Sequence, residues 1–476
     1  MIRLLIYNWI PFDEDGLKGG GVTVYTRSLI SCLCKNPEYE VSFLSSGRAY
    51  NRERADVYIE KTSNVFGYNC NSYQIVNSPV LSPAVLSFPY THFYIYDYEL
   101  KCVLREFLEE EQFDIIHFQN LEGLSLGVFE LREEFPSVRF VYSAHNYFPI
   151  CPQVMLWEQD EKCCVHDDSG LHCLNCMNTD VFIRKVIVNQ EINYEKAKGN
   201  ISSDERLNEQ KYIAELYCGK NFMEMQSKKS EEYLGAVFKE FRKNNIAYIN
   251  KYFDKVLAVS ERVLDIFLKA GVNKDKIQVS YIGTQIAEKQ YGKLRNEYKG
   301  EIFHLCYLGF MRKMKGFYFI LDALDRMPDE MAKRISFTFA TEISDDSVCA
   351  RVEKMKHKFA EIKVIGKYNH NELPEILSDT HLGIVPPLWE DNLPQVAIEF
   401  KANGVPVLCS DLGGAKELSG SDMFVFQAGN IDDFIKKVCY LLDNPDLLSE
   451  YWSGTSRLMT MSEHVKEITQ IYATLV

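Results

Sequence analysis

The chain reads as an α/β protein of two domains, each a parallel sheet covered by helices, facing one another across a cleft. Three observations predict this. Short β-rich runs alternate with helical stretches through the first third, a second alternating set begins near residue 303, and a polar connection separates the two sets. At 476 residues and 46% hydrophobic, the chain is long enough to bury two cores of ordinary size.

The first set places strands at 2–7, 41–44, 114–118 and 140–144, with helical patterns at 22–34 and 123–133 between them. A polar, charge-rich stretch from about 177 to 250 reads as the bulk of an insertion spanning about 150–250. The alternation then resumes with a strand at 255–259, a helix from Glu261 and a strand at 277–281. This gives a first Rossmann-like domain over 1–285. The second set places strands at 303–308, 337–340, 363–365, 382–385 and 407–410, giving a second such domain over 300–455. Residues 284–300, which include Lys289-Gln290-Tyr291-Gly292-Lys293, suit an exposed connection, and the cleft is expected beside it. Neither a solenoid-period repeat nor a low-complexity segment interrupts this pattern.

The formal net charge of −14 argues against a nucleic-acid groove and against general adhesion to anionic lipid, so any anion site must be local. The opening Met1-Ile2-Arg3-Leu4-Leu5-Ile6-Tyr7 is apolar but short and leads straight into an acidic turn, which reads as a first strand rather than a signal peptide. No apolar run approaches the roughly 20 residues needed to span a bilayer. Fourteen cysteines without a secretory signal suggest reduced thiols and a cytoplasmic protein, with peripheral contact at the inner face of the membrane left open.

The segment from Trp389 to Glu399, followed by Gly404-Val405-Pro406-Val407 and Asp411-Leu412-Gly413-Gly414, puts a loop before a helix before a strand. Asp391 falls in the loop and Glu399 about two turns along the helix, so both can face one cleft at the carboxyl ends of the strands. One carboxylate could grip sugar hydroxyls and the other a ribose. Backbone N–H groups near Leu393 are placed to bind diphosphate oxygens. For an isolated acidic pair, a helix-start residue and a solvated charge would be the better reading. Upstream, Gly309-Phe310-Met311-Arg312-Lys313-Met314-Lys315-Gly316 joins a strand to a helix. Basic residues at a helix start oppose its macrodipole, which favours a bound anion over a merely solvated turn.

In the first domain, Gly19-Gly20-Gly21 lies between the first strand and a helix, so backbone can approach a ligand closely. A nicotinamide-binding unit also begins this way, but its Gly-x-Gly-x-x-Gly spacing is absent. His145, in Ser143-Ala144-His145-Asn146, ends a strand and can point into the cleft. His117 is similarly placed and reads as loop support. Cys151, Cys163, Cys164, Cys173 and Cys176 follow within a turn-rich segment, and Cys173-Leu174-Asn175-Cys176 has a gap that lets two thiolates reach one metal. A four-thiolate structural zinc and no metal at all are both left open. The run 238–248 carries apolar residues at helical spacing and reads as packing on its own domain rather than touching lipid or an acceptor.

The region from Trp389 to Gly414 resembles glycosyltransferase family 4, with its two acidic residues eight positions apart, its Gly-x-Pro-Val and its Asp-x-Gly-Gly turn. Lys315-Gly316 matches the family's Lys-Gly, while Arg312 stands later than the family's Arg and Asp391 replaces its usual Glu, with Glu390 one place early. The resemblance spans most of the chain and is strongest from 306 to 418. It implies a GT-B fold, the final helix at 456–476 crossing back to the first domain, a nucleotide-sugar donor held mainly in the second domain, and a glycan or lipid-linked acceptor in the first. Carried onto this sequence, it implies catalytic roles for His145, Asp391, Arg312 and Lys315, and donor contacts from Gly20, Gly21, Asn392, Leu393, Pro394 and Glu399. It further implies hexosyl transfer with retention, no catalytic metal or cofactor, no nucleic-acid partner, and a place in cell-surface polysaccharide synthesis. A phosphorylase or hydrolase on the same fold, or a non-catalytic sugar-nucleotide-binding module, are the alternatives.

Overall fold

The computed structural model describes residues 1–12, 16–51, 53–54, 56–63, 66–85, 94–164, 170–176, 190–191, 194–195, 198, 231–289, 292 and 294–476. The first domain contains β1 (Ile2–Tyr7), β2 (Tyr39–Ala49), β3 (Tyr58–Thr62), β4 (Cys70–Val76), β5 (Ile115–Phe118) and β6 (Arg139–Ala144). A two-stranded ribbon follows, β7 (Trp157–Glu158) and β8 (Lys162–Cys163), before β9 (Lys255–Ala258) and β10 (Ile277–Val279) complete the large sheet. Its eight strands run in the order β10-β9-β6-β5-β1-β2-β4-β3, parallel except for the edge pair β3–β4. The second domain contains β11 (Phe303–Leu308), β12 (Ile335–Ala340), β13 (Glu361–Ile365), β14 (Leu382–Val385), β15 (Val407–Ser410) and β16 (Val425–Phe426), in the order β13-β12-β11-β14-β15-β16.

Strand order fixes where ligands can go. Chain order reverses direction on either side of β1 and again on either side of β11, and crevices open at the carboxyl ends of the strands at such points. In the first sheet that places Asn8 beside Gln119. In the second it places the loop after Leu308 beside the loop after Val385.

Both central strands are buried on both faces, as covered parallel strands must be, which is why they read as continuous apolar runs. Phe253 holds the first core together: its ring packs on Phe118, Phe129, Phe140 and Tyr142. The helix Glu231–Tyr252, inside the expected insertion, buries Phe238, Phe241 and Ile249. Phe241 meets Tyr94 and Phe148, so the apolar stripe serves its own domain. The remaining polar part of that insertion lies largely outside the described residues, as does most of the run 289–293.

Several elements differ from expectation for local reasons. The helix expected from 22 begins at Gly16 and is broken at Gly20, whose φ of 63° and ψ of −164° are non-helical. The helix expected over 123–133 is a 3-10 turn, Leu126–Glu130, and a short helix, Leu131–Glu134, ending just before Pro136. The C-terminal helix Met461–Ala473 starts with a capping box between Thr460 and Glu463 and packs on the first domain. Its His464 meets Tyr25 at 2.6 Å and its Tyr472 meets His117 at 2.6 Å. His117 also meets Ser143 at 2.8 Å, is fully buried, and is held neutral by burial with its pKa down near 3.

Phe253→Ala should destabilise the first domain by about 3–5 kcal/mol, the usual cost of deleting a fully buried ring. Chemical denaturation should show the loss as a lower unfolding midpoint, and an unchanged midpoint would contradict the shared-ring packing.

Candidate functional site

The candidate site forms where the two switch points face one another. From the second domain come the turn after β11, ending in Lys315-Gly316, and the loop 386–394 that leads into the helix Gln395–Ala402. Lys315 Nζ donates to Asp391 Oδ2 at 2.6 Å and lies 5.0 Å from the Trp389 ring. Both motifs singled out in the sequence therefore meet directly. Gly316 is required here: its φ is 76°, and a Cβ would stand 1.9 Å from the Pro386 carbonyl oxygen. Gly413 plays the same part below Asp391, with φ of 69° and a Cβ position 2.2 Å from the Asp391 carbonyl oxygen. Gly414 N then donates to that carbonyl at 2.8 Å, which seats the loop.

Glu399 lies on the buried face of its helix at 5% exposure. Its Oε1 is 3.3 Å from His370 Nδ1, while its Oε2 has no hydrogen-bond partner. Burial without a close cation raises its pKa to about 7. A buried carboxylate oxygen without a partner suits a ligand hydroxyl that would satisfy it. Pro394 caps the helix start with no side-chain acceptor, so its first N–H groups are not satisfied from that position. Leu393 and Asn392 are buried in the approach, and Asn392 Nδ2 is a further unpartnered polar atom. Arg312 is exposed, its guanidinium 5.7 Å from the Phe310 ring, and it has no ion pair among the described residues.

From the first domain, Gly20 is exposed at the helix break, and Gly21 lies under Gln395, whose Nε2 donates to the Gly21 carbonyl at 3.2 Å. His145 is half-buried at the end of β6. Its Nε2 is 2.9 Å from Gln119 Oε1, and its pKa is pushed down to about 3 by desolvation, with His464 adding a smaller effect. Because an amide oxygen only accepts, this contact puts the proton on Nε2 and leaves Nδ1 as an acceptor.

The structure also shows residues that motif reading passed over. Glu122 is fully buried with its pKa raised by desolvation to about 7, accepts from Ala84 N at 2.6 Å and from Asn146 Nδ2 at 2.7 Å, and so orients the residue after His145. Glu390 pairs with Arg262 of the first domain through the guanidinium Nε and Nη2 and accepts from Gly413 N at 3.0 Å. It is occupied in joining the two halves, whereas Asp391 meets Lys315. Ser260 Oγ donates to the Asn392 carbonyl at 2.7 Å, a third bond across the cleft. Single-sequence patterns carry no signal for these, because each acts through a partner more than a hundred residues away or inside a separate loop.

With this geometry in place, two sequence families account for both halves. Residues 19–162 match Glycosyltransferase Family 4 and residues 302–444 match Glycosyl transferases group 1. Two parallel-sheet domains facing across a cleft, with these matches, define a GT-B glycosyltransferase. The chain belongs to the family 4, group 1 glycosyltransferases. No curated protein matches its sequence. Among solved structures it is similar to the lipopolysaccharide outer core galactosyltransferase WaaB in apo form (12% identity, TM-score 0.56, 100% of both chains covered). It is also similar to an alpha,alpha-trehalose-phosphate synthase (UDP-forming) from Burkholderia vietnamiensis (12% identity, TM-score 0.57, 100% of this chain and 97% of that one). A third is Anabaena HepE in complex with UDP (12% identity, TM-score 0.56, 100% of both). At such identities the likeness speaks for the fold.

The buried carboxylate gives a pH prediction. A carboxyl group whose folded pKa is raised stabilises the fold below its ordinary value of 4.5, and that contribution is lost as pH climbs through about 7. Glu399→Gln should therefore gain stability over the parent across that window, by an amount on the order of 3 kcal/mol. Melting curves of both proteins at acid and alkaline pH read this directly. A constant difference at every pH would remove Glu399 as the titrating group.

Proposed function

We propose that the protein is a metal-independent, retaining hexosyltransferase that moves a sugar from a nucleoside-diphosphate donor to a glycan or lipid-linked acceptor in cell-surface polysaccharide synthesis. The observation that carries the reading is the contact of Lys315 with Asp391 at the switch point of the second sheet, with the buried Glu399 Oε2 unpartnered on the helix that follows. Glu399 accepts ribose hydroxyls. Lys315, Arg312 and the uncapped start of the helix Gln395–Ala402 receive the diphosphate, with Gly20, Gly21, Asn392, Leu393 and Pro394 supplying close backbone approach. Asp391, released when Lys315 turns to phosphate, accepts hydroxyls of the donor sugar, and the His145 Nδ1 accepts another.

As the glycosidic C–O bond breaks, negative charge grows on the departing diphosphate and the sugar becomes oxocarbenium-like. Fixed cations and N–H dipoles in a water-poor cleft favour that state, which is electrostatic preorganisation. The acceptor hydroxyl attacks from the face the diphosphate leaves, and a departing phosphate oxygen takes its proton, so configuration is retained. The solved HepE structures hold UDP or UDP-glucose, which makes uridine diphosphate sugars the first donors to try.

A panel of nucleotide sugars, read by thermal shift and by nucleotide release, tests the proposal. One donor should stabilise the parent and release nucleoside diphosphate. Lys315→Ala should cut release by about 100-fold or more, the usual effect of losing one charge-stabilising donor. Stabilisation without nucleotide release would point to a non-catalytic sugar-nucleotide-binding module, and no stabilisation by any donor would overturn the donor site.

A further inference from the structure

The segment 147–176 contains a cluster of thiols that the transfer reaction does not use. Cys151, Cys164, Cys173 and Cys176 line one small cavity of about 20 Å³, together with His172 and Arg242. Two features set these sulfurs apart from buried structural cysteines. Arg242 Nη2 donates to Cys173 Sγ at 2.5 Å, which places a permanent cation against the cluster. Finally, Val154, Leu156, Gln159 and Asp160 all adopt positive φ, between 50° and 66°, within one short loop. Non-glycine residues resist that conformation, so the loop needs a constraint that over-determines it.

We propose that Cys151, Cys164, Cys173 and Cys176 bind one zinc ion as four thiolates, and that this ion staples a strut running from the first domain onto the donor loop of the second. Binding releases the thiol protons to solvent, leaves a tetrathiolate centre of net charge −2, and sets that charge against the Arg242 guanidinium. Among the described residues no three His, Cys, Asp or Glu side chains stand at the spacing of a metal centre. Loading therefore requires the four sulfurs to close around the ion, with Cys173 turning from Arg242 among them.

The strut is visible beyond the cluster. Trp157 packs with Met314 and Trp389, the neighbours of Lys315 and Asp391, and Cys163 Sγ donates to the Leu388 carbonyl at 3.3 Å. Zinc at the base of this ribbon would hold its tip against the loop that carries Asp391. That consequence rests on the donor-site reading above, while the metal site itself does not.

The test is metal content of the full chain purified under reducing conditions without chelator, by elemental analysis, with thiols counted under denaturation. About one zinc per chain is expected, released as the thiols are titrated with a mercurial. The double variant Cys173→Ser, Cys176→Ser should lose the zinc, and Cys349→Ser, an exposed cysteine elsewhere, should keep it. Should the double variant fail to fold, cobalt substitution of the parent decides: thiolate-to-cobalt charge-transfer bands with tetrahedral d–d bands support the site. Absence of zinc and of cobalt binding with every thiol free overturns the proposal, and so does a disulfide among these four cysteines. Zinc retained by a folded double variant overturns it as well. Donor-induced stabilisation that survives removal of zinc would sink the strut while leaving the donor site intact.

Discussion

The loop from Pro386 to Pro394 is the constraint on which the cleft depends. It leaves β14 at a switch point and must present Asp391 forward while keeping its own backbone satisfied. Six contacts do this from different directions: Ser410 Oγ to the Pro387 carbonyl, Leu388 N to the Met314 carbonyl, Cys163 to the Leu388 carbonyl, Gly414 N to the Asp391 carbonyl, Ser260 to the Asn392 carbonyl, and Arg262 to Glu390. Three of these come from the first domain, so the loop's shape and the closure of the two halves are one property. A loop so pinned loses little further entropy when a ligand binds, which is what a site built on charge placement needs.

Charge is the second constraint. The chain carries a net −14, yet its proposed ligand is a dianionic diphosphate. Local arrangement must overcome the global field, and at screening lengths of about 8 Å in physiological salt it can. Lys315 is the only cation at the turn that is paired among the described residues, and its partner is Asp391. In the proposed site a ligand phosphate therefore competes with Asp391 for Lys315, and its arrival frees a carboxylate beside the sugar. Glu390, in contrast, stays with Arg262 and cannot repel the ligand as a bare charge. One acidic residue is neutralised by architecture and the next is exchangeable, although they are adjacent in sequence.

The parallel strands were legible because burial on both faces makes each a short apolar run: β1, β11 and β14 begin and end where those runs do. The edge pair β3 and β4 was not, since half-buried strands with Glu60, Lys61 and Gln74 give no continuous apolar run. Likewise the segment 123–133 has helical spacing, but its φ of 80° at Gly123 and the proline at 136 leave room only for a 3-10 turn and a short helix. In the site, Lys315, Asp391 and Glu399 stand at fixed distances along the chain, so a motif could register them. Glu122, Arg262 and Ser260 have no such spacing to any partner. Their significance arises only when the chain folds and brings Asn146, Glu390 and Asn392 to them.

The histidines show how burial turns residue type into role. Desolvation lowers the proton affinity of His117, His145 and His464, and neighbouring imidazoles lower that of His117 and His145 a little further, so all three are neutral at physiological pH. A neutral imidazole has one donor and one acceptor, and its neighbours choose which is which. For His117 both nitrogens are engaged, by Tyr472 and Ser143, and nothing remains to offer a ligand. For His145 the Gln119 amide oxygen accepts from the Nε2–H and leaves Nδ1 as an acceptor. The C-terminal helix enters this set through His464 and Tyr472, so a segment far from the motifs helps keep His145 uncharged. In the proposed transfer, a protonated histidine would attract the leaving diphosphate and could not accept a sugar hydroxyl. The neutral form can, and the returning helix is part of what secures it.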